Sequence, residues 1–460
     1  MTGKYQAYSE YKDSGSQWLG DIPNDWDIFN GKRLFKNRRE LSLSTDEQLA
    51  ASQKYGVVPQ YLMMELNESK VMLALKGTSS FRHVEKDDFV ISLRSFEGGI
   101  EHSHYVGCVS PAYTVLSPTK DIAPSFYRYL LKSKPYIAAL QSTTDSLRDG
   151  KSITFEQFGA IPLVLPKVGE QNKIASFLDY ETAKIDTLIE KQQQLIKLLK
   201  EKRQAVISQA VTKGLNPNAP MRDSGIEWLG EVPAHWKVKP LKFLISDRKG
   251  AVKAGPFGSH LKNSDMEGSD IKVVAQKNVI SRDFDIGESM ISSDKYRELE
   301  GFTIFKDDIL VSTRGTIGRT AIYDRDSPAI LHPCLIRLQV NPILVYPEFI
   351  ALLIQESGYA MEQILVNSNA TTIEVIYSEN LINTMICLPP SLPEQKEVLN
   401  LIAVRKSYFD SLISKAESAI ELMQERRTAL ISAAVTGKID VRNWKAPEPS
   451  NIANNKDAAA

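Results

Sequence analysis

A helical pattern of more than forty residues occurs twice in this chain, and it constrains the fold more than any other feature. The first copy spans residues 170–214. The second begins at Glu394, 224 positions after Glu170, and the copies align without insertion or deletion. A self-similarity with one fixed displacement indicates a duplicated architecture. We therefore expect two related halves that each carry one long helix.

Apolar residues recur every seven positions along both copies. These seam positions are Leu178, Ile185, Gln192, Leu199 and Val206 in the first helix and Ile402, Phe409, Ala416, Met423 and Leu430 in the second. Three residues after seam members, the pattern predicts further seam positions at Leu188, Leu195, Leu412 and Ala419. A heptad repeat of this length is typical of a coiled coil, here about 65 Å long. Two separate amphipathic helices are the alternative, but such helices usually have only about 11–12 residues.

Composition and charge exclude several classes of protein. The 460 residues leave room for two or three domains. Lys plus Arg equals Asp plus Glu, at 56 each, so no overall basic charge draws the chain to nucleic acid or membrane. No segment approaches the roughly 18 apolar residues of a membrane span, and the N-terminus does not resemble a signal peptide. Three scattered cysteines predict a reducing, cytoplasmic location without disulfides or a zinc site.

A tryptophan motif opens each half of the chain. DSGSQWLGDIPNDW at residues 13–26 recurs as DSGIEWLGEVPAHW at residues 223–236. Four of the five tryptophans belong to these motifs, namely Trp18, Trp26, Trp228 and Trp236. Because an indole ring is costly to leave in water, each motif is predicted to dock on the unit that follows it.

A globular unit of about 140 residues lies between each tryptophan motif and each long helix. Short apolar runs after acidic turns predict strands, and proline-headed segments predict short helices, so the units should be mixed α and β. The predicted division is head 1 at 1–165, a central spacer helix at 166–214, head 2 at 215–390, a distal spacer helix at 391–440 and a disordered tail at 441–460. The sequences of the two heads differ by small insertions, whereas the helices do not. This difference indicates two differently specialised heads on one scaffold.

No motif of a catalytic site is visible. The chain lacks a phosphate-binding loop, a dinucleotide fingerprint and a zinc-protease motif. His102, His104 and Cys108 could hold a metal, but a hydrogen-bonded or surface histidine pair is the favoured interpretation. The acidic pairs at 87–88 and 307–308 are interpreted as solvated turns, because adjacent strand residues point to opposite faces and do not form a carboxylate dyad.

The order and duplication of these motifs resemble the specificity subunit of type I restriction-modification enzymes. The motifs are the tryptophan segments at 18–26 and 228–236, the helix starts at 165–171 and 389–395, in which Leu or Pro precedes P-x-x-x-E-Q, the helix ends at 207–214 and 431–440, and the stretches 92–107, 255–262 and 309–319, which look like the family's target-recognition domains. The resemblance covers nearly the whole chain except the tail. Each motif alone is weak, but their order and duplication together are specific.

The resemblance implies an α+β fold, with two mixed α/β target-recognition domains joined by two long helices that form an antiparallel coiled coil. It implies a non-catalytic subunit in which each head reads one half of a bipartite, asymmetric site in double-stranded DNA while the helices set the gap. Two modification (methyltransferase) subunits would use S-adenosylmethionine, and motor-nuclease restriction subunits would use ATP and Mg²⁺. No cofactor or metal is expected on this chain itself.

If the helices are antiparallel in equal register, their midpoints cross near Gln192 and Ala416. The small alanine would then make room for the one polar seam residue, which could fix the register.

Basic residues beside glycine-rich turns are the candidate DNA contacts, because glycine lets the backbone approach a duplex and arginine is the commonest specific reader of guanine. They are Arg94, Arg148 and Lys151 in head 1 and His260, Lys262, Arg314 and Arg319 in head 2. Each could instead be a solvated cation or belong to an internal salt bridge. The matching positions of Arg94 and Arg314 are equally compatible with a structural ion pair.

Other hypotheses stay open at the level of the sequence. The chain could be the recognition scaffold of a related methyltransferase-only system, or a coiled-coil adaptor without DNA specificity. A stand-alone methyltransferase fused to a recognition domain is disfavoured, because no S-adenosylmethionine or catalytic motif is visible.

Overall fold

The computed structural model describes residues 5–67, 78–143, 153–227, 229–366 and 375–446. It divides into two compact units, of which unit 1 is Met1–Gln193 with Ser418–Ala460 and unit 2 is Gln194–Glu417. Each unit therefore contains one head, the first half of the helix that follows this head, and the second half of the other helix. The predicted division treated the helices as separate segments, whereas the compact units divide both helices near their middles.

Head 1 is built from short strands and short helices. Its strands are β1 Tyr11–Asp13, β2 Asp21–Pro23, β3 Asp27–Asn30, β4 Phe35–Arg38, β5 Leu49–Ser52, β6 Gly56–Pro59, β7 Arg82–Val84, β8 Phe89–Ile91, β9 Glu101–His102, β10 Gly107–Val109, β11 Thr114–Pro118 and β12 Pro162–Leu165. Its helices are α1 Gly31–Leu34, α2 Gln60–Asn67, α3 Ser95–Gly98, α4 Pro124–Leu130, α5 Lys134–Ser142 and α6 Phe155–Ala160. The long helix α7, Val168–Lys213, follows.

Head 2 repeats this composition. Its strands are β13 Met221–Asp223, β14 Glu231–Pro233, β15 Lys237–Pro240, β16 Val252–Ala254, β17 Ile271–Val274, β18 Met290–Ile291, β19 Thr303–Ile304, β20 Ile309–Ser312, β21 Thr320–Ile322, β22 Ala329–Leu331, β23 Leu335–Leu338 and β24 Met385–Leu388. Its helices are α8 Gln276–Ser281, α9 Ser293–Glu298, α10 Pro347–Glu356, α11 Tyr359–Val366 and α12 Ser378–Asn383. The second long helix, α13, is Leu392–Val435.

Both heads have the same sheet topology. A four-stranded antiparallel sheet has the order β4-β11-β8-β9 in head 1 and β16-β23-β20-β21 in head 2. The second sheet of head 2 has the order β18-β17-β22-β19, with β17 and β22 parallel. Head 1 matches it with the pairs β5-β6 and β7-β10, joined by a parallel bridge between Gln48 and Cys108. The heads are therefore mixed α and β, as predicted.

The tryptophan motifs pack into the cores of their own units, as predicted. Trp26 and Trp236 are fully buried. The Trp26 ring lies edge-on to Phe126 of α4, with 6.5 Å between the ring centroids. The Trp18 ring is half-buried, and its Nε1 donates to the Pro162 carbonyl of β12 over 3.2 Å. Trp228 lies outside the described residues.

Within each unit, the two long-helix segments run antiparallel. In unit 1, Arg427 Nε donates to Asp186 Oδ1 over 2.8 Å, and Lys173 Nζ donates to the Arg442 carbonyl over 2.5 Å just beyond α13. In unit 2, Arg203 forms an ion pair with Asp410, while later residues of α7 share a core with earlier residues of α13. Residues near the start of one helix thus meet residues near the end of the other, as a coiled coil of antiparallel helices requires.

Burial along the long helices agrees with most of the predicted seam, including Leu412 and Ala419, which are half-buried. Each of the ten residues spaced seven apart is buried or half-buried, including Gln192 and Ala416, although their crossing stays a prediction. However, Leu188 and Leu195 are 44% and 43% exposed. The residues four places after seam members, such as Ile189 and Ile196, are half-buried in their place. Spacings of three and of four residues both occur in a heptad. Because an apolar residue stands at each of the two positions, a leucine followed by an isoleucine, the sequence pattern did not show which of the two faces the seam.

The predicted disordered tail begins too early. Val441 is buried, and the Trp444 ring lies 5.5 Å from the Phe177 ring of α7 in an edge-on arrangement. The Arg442 guanidinium lies 4.9 Å from the centroid of the Tyr8 ring. These contacts hold residues 441–446 on unit 1. Burial of a single indole ring is enough to anchor a segment whose other residues are mostly polar. Residues 447–460 lie outside the described residues.

No helix in the described part of the chain is long and apolar enough to cross a membrane.

Candidate nucleic-acid interface

The Glu-Gln pair at the start of each long helix connects that helix to its head. Glu170 Oε1 accepts from Trp26 Nε1 over 3.1 Å, and Glu394 Oε1 accepts from Trp236 Nε1 over 2.8 Å. A carboxylate beside the first turn also interacts favourably with the positive end of the helix dipole. The repeated E-Q motif therefore serves as an attachment point for the tryptophan motif.

The glutamine of each pair is fully buried and serves the backbone of the head. Gln171 Oε1 accepts from the Ala123 N–H just before α4, and its Nε2 donates to the Pro166 carbonyl. Gln395 Oε1 accepts from the Tyr346 N–H just before α10, at 3.1 Å. Both short helices begin with a proline, and the glutamine satisfies the N–H that precedes it. This shared contact fixes the head to the start of its long helix.

The acidic turns of the two heads are only partly solvated, which corrects the sequence interpretation. Asp87 and Asp307 adopt positive φ angles of 71° and 68° at the turn. Asp88 and Asp308 are instead buried, with 1% and 0% of their surface exposed. The Asp88 and Asp308 carboxylates accept from backbone N–H groups three residues earlier. The turn before each strand therefore leaves one aspartate at the surface and buries the other, where backbone N–H groups and a cation compensate its charge.

An arginine, half-buried in head 1 and buried in head 2, faces the inner aspartate of each head. Arg38 at the end of β4 donates through Nε to Asp88 Oδ2 over 2.7 Å. In head 2, Arg337 of β23 places its Nε 3.7 Å from Asp308 Oδ2. Burial raises the pKa of the Asp88 carboxyl, against the lowering effects of the Glu85 N–H and Arg38. In both heads, an arginine that faces a buried aspartate therefore stabilises the turn before β8 or β20. The arginine comes from a different strand in each head.

The Asp308 carboxyl is expected to make stability depend on pH. Burial raises its pKa to about 6, although the Phe305 N–H and Arg337 oppose the shift. The native state then binds this proton more tightly than the unfolded chain does, so the associated stability is full below about pH 4 and is lost as the pH rises through 6. Relative to Asp308→Asn, the wild-type free energy of unfolding should fall by at most about 3 kcal/mol between pH 4 and pH 7.

Guanidinium unfolding at a series of pH values, followed by tryptophan fluorescence, measures this difference. Asp307→Asn controls for the loss of one negative charge from the same turn. A difference between wild type and Asp308→Asn that stays constant from pH 4 to pH 7 would contradict the expectation.

The strand β20 of head 2 ends in an exposed loop that carries two of the predicted DNA contacts. We call residues 312–319 arginine loop 2. Ser312 Oγ donates to the Thr316 carbonyl over 2.6 Å and accepts from the Arg319 N–H over 2.9 Å, which closes the loop. Gly315 and Gly318 both have a φ of 70°. The Arg314 and Arg319 side chains are exposed on this loop.

Other loops of head 2 meet the same end of the sheet. The Thr313 N–H donates to the Cys334 carbonyl over 2.9 Å, and the Thr313 carbonyl accepts from the Ile376 N–H over 3.0 Å. A side chain at Gly255 would place its Cβ 2.2 Å from the His332 carbonyl oxygen. Backbone segments from three other parts of head 2 therefore converge beside arginine loop 2.

The glycine-rich loop that starts at Gly255 carries the remaining two candidates of head 2. His260 and Lys262 are exposed on it. Phe257 is 80% exposed, and its ring centroid lies 6.2 Å from that of His260. The structure thus brings Arg314 and Arg319 into one loop and leaves His260 and Lys262 on a neighbouring loop.

Head 1 has the equivalent loop at the end of β8. We call residues 92–99 arginine loop 1. The Ser92 N–H donates to Ser95 Oγ over 2.8 Å at the start of α3, and Arg94 is exposed. A Cβ at Gly99, where φ is 84°, would lie 2.3 Å from the Leu131 carbonyl oxygen, so only glycine fits there. Arg148 and Lys151, the other candidates of head 1, lie outside the described residues.

The matching arginines are not held by acidic side chains. Within the described part of the chain, neither Arg94 nor Arg314 takes part in an ion pair. The ion pairs with the inner aspartates are made by Arg38 and Arg337 instead. The alternative that Arg94 and Arg314 match because both form a structural ion pair does not apply to the described residues.

His102 and His104 of head 1 lie side by side, and His102 is hydrogen-bonded to an acidic side chain. His102 Nε2 lies 3.0 Å from Asp87 Oδ1, and the His104 ring stands edge-on to the His102 ring at 4.5 Å. Burial and the neighbouring His104 lower the pKa of His102 to about 4. No group of three or more His, Cys, Asp or Glu side chains among the described residues is placed to hold a metal.

Several residues of the site were missed by reading the sequence. Gln53 of head 1 and Gln276 of head 2 donate to the main-chain carbonyls of Arg94 and Arg314. A signal was present, because ASQK at 51–54 recurs as VAQK at 274–277 with a displacement of 223, close to that of the neighbouring repeats. Arg38 had no such signal, because its counterpart Arg337 lies on a strand that is not equivalent to β4.

Comparison with known proteins agrees with this duplicated geometry. Residues 23–198 and 261–420, well over half of the chain, match the family described as the type I restriction modification DNA specificity domain. The specificity subunit of the type I restriction enzyme EcoBI from Escherichia coli is 24% identical over 335 residues, which cover 71% of this chain and 68% of the relative. The EcoKI specificity subunit from Escherichia coli K12 is 24% identical over 395 residues, with coverages of 82% and 80%.

A solved structure supports the fold. A chain from a study of complex assembly and conformational transition in the type I restriction-modification system superposes with a TM-score of 0.64 at 14% identity, covering 91% of this chain and 99% of that chain. Together with the family match over both halves, these findings confirm the resemblance noted in the sequence. The chain therefore belongs to the family of type I restriction-modification specificity subunits.

Proposed function

We propose that each head of this specificity subunit reads one half of a bipartite, asymmetric DNA site. The observation that carries the proposal is that the two heads share one topology but differ in the sequences of their exposed loops. In each head these loops lie at the equivalent end of its own four-stranded sheet. A palindromic site would need two identical readers, whereas related but diverged readers suit two different half-sites.

The arginine loops are the proposed base readers of the two heads. Arg94 and Arg314 extend from the ends of equivalent strands, and their guanidinium groups are free of described ion pairs. A guanidinium can donate two parallel hydrogen bonds to O6 and N7 of guanine. Arg319, His260 and Lys262 are exposed nearby on head 2 and would contact phosphates or base edges. Arg148 and Lys151 remain proposed contacts of head 1.

The chain is proposed to leave catalysis to its partners. Two methyltransferase subunits would bind S-adenosylmethionine and methylate adenine, and motor-nuclease subunits would use ATP and Mg²⁺. The balance of 56 basic and 56 acidic residues supports this view, because a neutral subunit needs partners to supply part of the phosphate contact. The names of the relatives, which are specificity subunits of multisubunit restriction enzymes, support it as well.

The long helices are proposed to set the gap between the half-sites and to dock the methyltransferase subunits. The equal length of the two helical repeats supports the first role, since insertions accumulated in the heads and none in the helices. Exposed apolar residues along α7, such as Leu188 and Leu198, support the second role.

Methylation by purified components tests the proposal. The isolated chain should not methylate DNA, and co-expression with its methyltransferase subunits should direct adenine methylation to one split sequence. Methylation by the isolated chain would favour an enzyme instead. Sequence-independent, barely measurable DNA binding by the assembled complex would favour a coiled-coil adaptor. A complex that methylates but never assembles with a nuclease would indicate the methyltransferase-only system.

A further inference from the structure

In both heads, a glutamine side chain holds the main-chain carbonyl of the loop arginine. Gln276 Nε2 donates to the Arg314 carbonyl over 2.8 Å and to the Thr316 carbonyl over 3.0 Å. Gln53 Nε2 donates to the Arg94 carbonyl over 3.3 Å. Each contact therefore joins a segment of one sheet to the arginine loop at the end of the other sheet.

The two glutamines occupy equivalent places in the fold. Gln53 directly follows β5 and Gln276 follows β17 after one residue. Both strands pair antiparallel with their next strand and parallel with β10 or β22, through one bridge in head 1 and a full ladder in head 2. Although the two heads differ by insertions, a long-range contact from the glutamine to the arginine carbonyl is present in both.

Neighbouring residues support each glutamine. In head 2, the fully buried Asn278 accepts from the Ala275 N–H and donates to the carbonyls of Asp283 and Ile286, which fixes the start of α8. In head 1, Lys132 Nζ donates to the Gln53 carbonyl over 2.7 Å. A Cβ at Gly98 would lie 2.6 Å from Gln53 Cδ, so glycine at this position leaves room for the contact.

The contact has a direct consequence for the arginine. An amide that donates to the carbonyl of a residue fixes the peptide plane after that residue and hence the direction of its Cα–Cβ bond. A guanidinium that reads guanine through two hydrogen bonds tolerates little change in this direction. Neither arginine has an acidic partner within the described residues that could orient it instead.

We infer that Gln53 and Gln276 are positioning residues that set the base selectivity of their own heads. The inference rests on the proposed function, because it requires that the arginine loops face DNA. Each glutamine acts through the loop backbone and does not itself need to touch a base.

The test replaces each glutamine in the full chain, co-expressed with its methyltransferase subunits. Gln53→Glu and Gln276→Glu keep the length and shape of the side chain but remove the N–H donor. The new carboxylate is an acceptor only and repels the carbonyl oxygen that the amide had bound. Gln53→Ala and Gln276→Ala remove the contact without adding charge. The probe is a library of random DNA duplexes, and sequencing of methylated adenines measures discrimination at each position of both half-sites.

Each head-1 variant should lower discrimination at one half-site by roughly tenfold and leave the other half-site unchanged, while the head-2 variants should do the reverse. The variants are thus matched controls for one another. Unchanged discrimination at both half-sites would overturn the inference. So would a lower methylation rate with unchanged discrimination, or equal relaxation of both half-sites, since these indicate a merely structural role. A wild-type complex that methylates no split sequence would instead refute the proposed function.

Discussion

Removal of four residues from each long helix is expected to shorten the gap in the DNA target by about two base pairs. Deleting 192–195 from α7 and the equivalent 416–419 from α13 shortens each helix by about 6 Å, close to two base-pair steps. Both deletions fall between the positions of the helix ion pairs, which are Asp186 and Arg203 on α7 and Asp410 and Arg427 on α13. The pair within each unit can therefore keep its partner. Both half-sites should stay the same, because the heads are untouched.

Mapping of methylated adenines in cells that express the complete system measures this gap. The matched control deletes four residues from only one helix. In that variant the two ion pairs cannot both keep their register, so methylation should be lost. An active double deletion with an unchanged gap would show that the helices do not measure the distance between half-sites.

Trp236→Ala is expected to cost unit 2 about 3–5 kcal/mol of its free energy of unfolding, since a buried aromatic side chain leaves a cavity of its own size. The indole is fully buried, its Nε1 donates to Glu394, and its Cζ2 lies 3.2 Å from the place of a Cβ at Gly214. Loss of this ring removes contacts to the start of α13 and to the end of α7 together. Unit 2 should therefore loosen at both helix ends.

Two further variants separate the contributions to this effect. Trp236→Phe keeps an aromatic ring but loses the charge-assisted hydrogen bond to Glu394, and it should cost about 1.5–3 kcal/mol. Phe257→Ala changes an exposed aromatic residue and should stay within about 0.5 kcal/mol of wild type. Hydrogen exchange during urea unfolding locates the loss. Equal protection of unit 2 peptides in Trp236→Ala and wild type would contradict the expectation.

Much of the candidate site could be predicted from the sequence. The aligned strand runs located Arg94 and Arg314 at equivalent positions, and the structure places both on exposed loops at the ends of β8 and β20. The sequence did not predict the glutamine contacts, because Gln53 and Gln276 lie about 40 residues from their partners. It also misjudged Asp88, because burial of a charged residue depends on whether a cation from another strand is available.

The sequence by itself determined the duplication, the two long helices, the mixed heads and the family. These features depend on local periodicity and on repeated order along the chain, both of which are visible without coordinates. Only the tertiary structure decided that Ile189 rather than Leu188 faces the seam, that Trp444 packs on Phe177, and that each head is attached to its helix through Glu170 or Glu394. These outcomes depend on which surfaces meet in space, and apolar or acidic residue types at neighbouring positions satisfy the local pattern equally well.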